Sequence, residues 1–145
     1  MLNLIKSRIM QRFWFAILGV LGFSACDNPP LDMYGSPTVD FMVKGKVTDS
    51  EGAPIKGIVI SSKRGLSDDL SAVTDEKGEF VTNKIKEFGV MGTLVFTDVD
   101  GADNGGDFAT CERDLSALPK TLVKNGEGWY KGEYEVTADV KLNKK

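Results

Sequence analysis

The chain has no histidine among its 145 residues. That excludes Ser–His and Cys–His nucleophile systems and every imidazole metal site. Cysteine is nearly absent as well: only Cys26 and Cys111 are present. Basic residues are outnumbered, with 18 Lys and Arg against 21 Asp and Glu, so the electrostatic footprint of a nucleic-acid binder is missing. A membrane-spanning helix needs roughly 20 consecutive apolar residues. The apolar run at residues 13–25 has 13. Beyond Cys26 no stretch keeps a helical spacing of apolar residues, so a helical domain is not expected.

What is present begins with an ordered N-terminal pattern. Lys6, Arg8 and Arg12 make a basic start with no acidic residue among them. The run FWFAILGVLGFSA follows, and its length falls in the roughly 7–15 residues of a signal-peptide core. The run closes on Phe23-Ser24-Ala25-Cys26 and is followed by Asp27, Asn28 and two prolines, which block any helical continuation. This close resembles the bacterial lipobox, with Phe23 where Leu is usual. The resemblance implies diacylglyceryl transfer to the Cys26 sulfur, cleavage before Cys26 and acylation of the new amine. One acyl chain anchors a protein marginally, whereas two or more hold it stably. Residues 1–25 are accordingly expected to be a lipoprotein signal peptide and Cys26 a membrane anchor.

Removing residues 1–25 leaves 15 basic and 21 acidic residues, a net charge of −6. With Cys26 acylated, Cys111 has no intramolecular disulfide partner. Residues 26–39, with Pro29, Pro30, Gly35 and Pro37, read as a tether that spaces the domain from the bilayer. Leu31, Met33 and Tyr34 are its apolar exceptions.

Residues 40–145 carry period-two patterning. Phe41, Val43, Gly45 and Val47 share one face of a strand, with Lys44 and Lys46 on the other. Ile58 and Ile60 mark a second strand, and residues 63–69 a polar loop. Residues 72–82 read as a hairpin about Asp75-Glu76-Lys77-Gly78, with Phe80 inward. Residues 93–99 form a further strand and residues 107–113 a weaker one. After a connection containing Pro and Gly, residues 130–142 read as one strand. Tyr130, Gly132, Tyr134, Val136, Ala138, Val140 and Leu142 form its inward stripe. The expected architecture is an all-β antiparallel, Ig-like sandwich of about seven strands. The stretches TDSEG and TDEKG read as one turn chemistry used twice.

Two wider resemblances follow from these residues. KGKVTDSEGAPIKGIVISS with AVTDEKGEF is similar to the carboxypeptidase regulatory-like domains, which have a transthyretin-like (prealbumin-like) sandwich. Gly45, Val47, Asp49, Gly52, Pro54, Ile55, Gly57, Thr74, Asp75, Gly78 and Phe80 carry that match. The lipobox, MYGSP, KGKVTDSEGAPIKGI, FTDVDGADNGGDF and GEGWYKGEYEVTADVKL together resemble the radical SAM-associated lipoprotein family of Bacteroidetes-type bacteria. That family takes its name from neighbouring genes for radical S-adenosylmethionine enzymes, so the resemblance implies a location and a fold rather than an activity.

Three places could carry chemistry. In residues 98–107 the side chains of Asp98, Asp100, Asp103, Asn104 and Asp107 offer oxygen ligands of the kind Ca²⁺ takes. Counted from Asp98, the fifth and twelfth positions of an EF-hand loop fall on Ala102 and Ala109, so an acidic turn held by local hydrogen bonds is the favoured reading. Cys111 reads as a small strand hydrophobe, or as a thiol offered to a partner enzyme. Trp129, in GEGWYKG, reads as cover for a sandwich edge, or as an aromatic platform. The expectation is a cell-envelope lipoprotein at the outer membrane with a non-catalytic binding or structural module. No cofactor is expected, and whether the domain faces periplasm or medium is left open. The alternative is a protein substrate or accessory partner of a radical S-adenosylmethionine maturation enzyme.

Overall fold

The computed structural model describes residues 35–63 and 70–145. Residues 1–25, expected to be a signal peptide, Cys26, Leu31, Met33, Tyr34 and most of the polar loop expected at 63–69 lie outside the described residues. Within them the chain folds as an all-β sandwich of two sheets.

The strands are β1 (Thr38–Asp49), β2 (Ile58–Lys63), β3 (Ser71–Val73), β4 (Glu79–Val81), β5 (Ile85–Glu87), β6 (Thr93–Asp98), β7 (Cys111–Asp114), β8 (Lys120–Glu127), β9 (Tyr130–Thr137) and β10 (Val140–Leu142). The described residues thus hold ten strands where about seven were expected. The first sheet is built around β1. On one side β1 pairs antiparallel with β5 and β4, and on the other it runs parallel to β9 and then β10, with β8 outermost beyond β9. The second sheet is antiparallel throughout, in the order β3-β2-β6-β7.

β1 can be the central strand because its alternation is strict. Phe41, Val43 and Val47 are fully buried, while Lys44 and Lys46 are exposed. β1 opens at Thr38, ahead of the expected domain start near Asp40, and Val39 belongs to the core. Its outer face carries the cross-strand ion pair of Lys44 with Glu135, and Lys84, just before β5, pairs with Glu133 of β9. Such exposed pairs contribute little, about 0–1 kcal/mol each. The core between the sheets gathers Phe41, Phe80, Phe96, Leu94, Ile58 and Val136 with their neighbours.

The residues 72–82 do not make a hairpin within one sheet. β3 pairs with β2 and β4 with β1, so the turn at Asp75–Gly78 is a corner that carries the chain from one sheet to the other. Patterning marks the buried face of each strand but not its neighbour, which is why the corner looked like a hairpin. Two local devices fix it. The Asp75 carboxylate accepts the N–H groups of Lys77 and Glu79 at 2.8 and 2.9 Å. Asp49 does the same for Glu51 and Ala53 at 2.9 and 2.8 Å. Both turns thus use the same Asx chemistry. Beside the corner, the buried Thr74 hydroxyl donates to the Ile55 carbonyl at 2.7 Å and accepts the Ile58 N–H at 2.9 Å. Thr74→Val is expected to destabilise the domain by about 1–3 kcal/mol for each group left unpaired. Thr74→Ser should keep most of that stability, and urea denaturation of both variants measures the difference.

The C-terminal segment departs from a single regular strand. Its inward stripe is buried from Val136 through Ala138 and Val140 to Leu142. Ala138 and Asp139 nevertheless interrupt the ladder: the Asp139 carboxylate, rather than a carbonyl, accepts the Lys46 N–H at 2.9 Å. At its start the register shifts between Thr38 and Asp40, with Gly132 in the left-handed region at φ 106. The bulge reverses the phase, so Tyr130 lies on the outer face beside Asp40 rather than on the inward stripe. The connection expected before residue 130 is largely β8, an edge strand exposed at every residue and itself interrupted between Leu122 and Lys124. A strand exposed on both faces has no reason to alternate, so its sequence carries no period-two signal.

Candidate functional site

The acidic loop leaves β6 at the end of the sandwich where β1 finishes, opposite Thr38. Three of its aspartates are already engaged. Asp98 accepts the Phe108 N–H at 2.8 Å through one oxygen and the Asp100 N–H at 3.2 Å through the other. Asp100 accepts the Asn104 side-chain amide. Asp107 pairs with the Lys145 ammonium at 2.7 Å, and its carbonyl accepts the Lys145 N–H at 2.9 Å. Among the described residues no group of three or more Asp, Glu and Cys side chains is arranged to hold a metal ion. Asp98, Asp100, Asp103 and Asp107 follow one another along the end of β6 and its loop, and the carboxylates of Asp98, Asp100 and Asp107 serve that loop's own turns and the C-terminus. The sharpest local constraint is at Gly57, where a Cβ would stand 2.7 Å from an Asp100 oxygen.

These bonds have an electrostatic signature. Burial works to raise the Asp98 carboxyl, but hydrogen bonds from the Phe108 N–H, from the Asp100 side chain and from the N–H groups of Asp100 and Gly101 outweigh it. Asp98 is held below the usual carboxylate range. The Glu79 and Lys77 N–H groups lower Asp75. The Ser116 hydroxyl and N–H lower Asp114, which caps the short 3₁₀ turn Leu115–Ala117. A carboxyl whose folded pKa is depressed adds stability that is present above its unfolded value and lost as pH falls through the folded value. The domain is therefore expected to lose stability below roughly pH 4, the unfolded carboxylate value. Asp98→Asn should flatten that acid limb, which urea midpoints measured against pH will report.

Cys111 opens β7 opposite Phe96 and packs, half-buried, against the core. It is a free thiol, and its sulfur lies 3.8 Å from the Glu112 carbonyl. Trp129 sits in the turn between β8 and β9, 49% exposed, with its carbonyl accepting the Thr38 N–H at 2.9 Å. Next to it is a cluster that the sequence did not disclose. The Tyr130 hydroxyl donates to Asp40 at 3.0 Å, and the Lys86 ammonium stands 5.6 Å from the Tyr130 ring centre. Burial first, and then the bond to Asp40, raise the Tyr130 hydroxyl above its ordinary value. The only available signal was Gly132, whose left-handed backbone breaks the alternation.

A groove of about 280 Å³ lies on the outer face of the first sheet, lined among others by Lys44, Lys46, Val81, Thr137 and Asp139. It is an open feature made by the interruption at Asp139, and that carboxylate is spent on the Lys46 N–H. The structure does not bring Cys111, Trp129 and the acidic loop into one site.

No family model matches the chain, and no curated protein matches it. Among solved structures, the chain is similar to a 3-chlorocatechol 1,2-dioxygenase from Rhodococcus opacus 1CP at 16% identity, with a TM-score of 0.41. The match covers 79% of this chain and 62% of that one, so the chain spans less than two thirds of the enzyme's length.

Proposed function

We propose that this protein is a lipid-anchored lipoprotein of the cell envelope whose β-sandwich serves as a non-catalytic binding or structural module. The reading is carried by one sequence feature. A basic start and a 13-residue apolar run end on Ser24-Ala25-Cys26, and β1 opens only twelve residues after Cys26 (38 − 26). A leader of that build followed so closely by a folded domain leaves a short tether and nothing else between lipid and sandwich. Non-catalytic use is supported by the chain's lack of histidine and by the engagement of Asp98 with its loop's backbone, of Asp100 with Asn104 and of Asp107 with Lys145.

The intact mass of the mature protein from its native cell tests this reading. The expected species begins at an acylated Cys26 and carries no other modification. An additional mass mapped to Cys111 or to the hairpin around Trp129 would replace the module reading with that of a substrate for a radical S-adenosylmethionine enzyme. A species still beginning at Met1 would remove the anchor.

A further inference from the structure

We propose that the rim of the sandwich carrying Phe88, Met91 and Trp129 rests on the lipid bilayer, so that the domain is held against the membrane rather than trailing free on its tether. The inference rests on the lipid-anchor reading and adds to it an orientation and a contact surface.

Three segments end side by side at this rim. The Thr38 N–H bonds to the Trp129 carbonyl at 2.9 Å, joining the first residue of β1 to the β8–β9 turn. On the other side of β1, Val39 pairs with Glu87, the last residue of β5, and Phe88 follows immediately. Met91 lies in the loop that leaves β5 there, with its N–H on the Gly89 carbonyl at 3.1 Å. Phe88 is 67% exposed, Met91 58% and Trp129 49%. The other large apolar side chains left exposed among the described residues are four valines, Val73, Val81, Val99 and Val123, and Leu122. The two exposed large aromatics and the exposed methionine thus share one end.

The chain itself says what covers that end. Thr38 is where the segment from Cys26 joins the sandwich, and twelve residues reach at most about 40 Å when fully extended. A tether that short keeps the rim at an effective concentration on the order of millimolar relative to the bilayer, so a weak interfacial contact is populated. Tryptophan is the side chain most at home at the headgroup level, and burying phenylalanine and methionine adds to it.

Trp129 reports on the contact directly, because removal of the leader takes Trp14 with it and leaves Trp129 as the single tryptophan of residues 26–145. The mature lipoprotein would be reconstituted into vesicles of phosphatidylethanolamine and phosphatidylglycerol, with and without bromine on the acyl chains. Flotation and Trp129 emission are then read on the same sample. The expected result is flotation, a blue-shifted emission and loss of most of it to brominated lipid. The Phe88→Ser/Met91→Ser double variant should float as well, with an unchanged thermal midpoint and much weaker quenching. Val99→Ser, at the opposite end, should be quenched like the unaltered protein. Floating protein with unquenched Trp129 overturns the inference and leaves the anchor standing. A blue shift without bromine quenching puts protein over the rim, with the same consequence. Failure to float overturns the anchor reading and the inference with it.

Discussion

Phe96→Ala is expected to cost the domain about 3–5 kcal/mol, the loss typical of a phenylalanine removed from a core. Phe96 is fully buried in β6 of the second sheet. Its ring meets Phe80, in β4 of the first sheet, edge-on with centroids 5.8 Å apart and planes at 75°. The pair is therefore one of the contacts that hold the two sheets face to face. An aromatic pair of this geometry contributes about 0.5–1.5 kcal/mol beyond the area it buries. Both β4 and β3 are only three residues long, so neither strand's ladder can compensate for the lost inter-sheet contact. A loss near the upper end approaches the whole stability of a small domain, about 5–15 kcal/mol. Thermal and urea unfolding will show it as a large fall in midpoint. Phe96→Leu, which keeps most of the volume, should lose much less.

Gly78→Ala is expected to be nearly as damaging for a different reason. Gly78 sits at φ 72, in the left-handed region, and its N–H closes the corner turn on the Asp75 carbonyl at 2.9 Å. A side chain there costs about 1–2 kcal/mol from the backbone conformation alone. A Cβ would also stand 2.4 Å from the Val47 carbonyl oxygen and 3.1 Å from the Ile55 nitrogen. That carbonyl accepts the Ile55 N–H at 3.1 Å, and the Gly78 carbonyl accepts the Val47 N–H at 2.8 Å. The added methyl thus pushes on the hydrogen bonds that dock the corner onto β1. Crowding of this kind costs about 1–3 kcal/mol. The combined loss, about 2–5 kcal/mol, should appear in the urea midpoint. Gly52→Ala is the control. Gly52 has a similar φ of 91 but open space around the missing Cβ, so only the conformational part should be lost.

The stripes of Phe41, Val43 and Val47 and of Val136, Ala138, Val140 and Leu142 were legible because a half-buried strand must alternate. The Asp-x-x-Gly turns were legible because few residues accept their own backbone or take a left-handed φ. Pairing was not legible, since alternation marks a face and says nothing of a neighbour. The corner at Asp75–Gly78 therefore read as a hairpin, and the parallel course of β1 beside β9 and β10 was invisible. β8 escaped because it is exposed throughout. Tyr130 lies off the inward stripe its spacing implies because a single bulge at Gly132 shifts the phase of everything before it. At the sites, the oxygen-rich character of residues 98–107 was plain, but the Asp107–Lys145 pair joins residues 38 apart and needed the fold. The Tyr130–Asp40 contact spans 90 residues and was equally out of reach.

The account depends on the Cys26 sulfur as a point of lipid attachment, and one measurement addresses it most directly. Cells producing the unaltered chain or Cys26→Ala are fed an alkyne fatty acid, and the protein is examined for label and for size. The account predicts a labelled, shortened product from the unaltered chain. From Cys26→Ala it predicts an unlabelled species that retains residues 1–25. A Cys26→Ala product that still carries the fatty acid and is cut to the same size would contradict it.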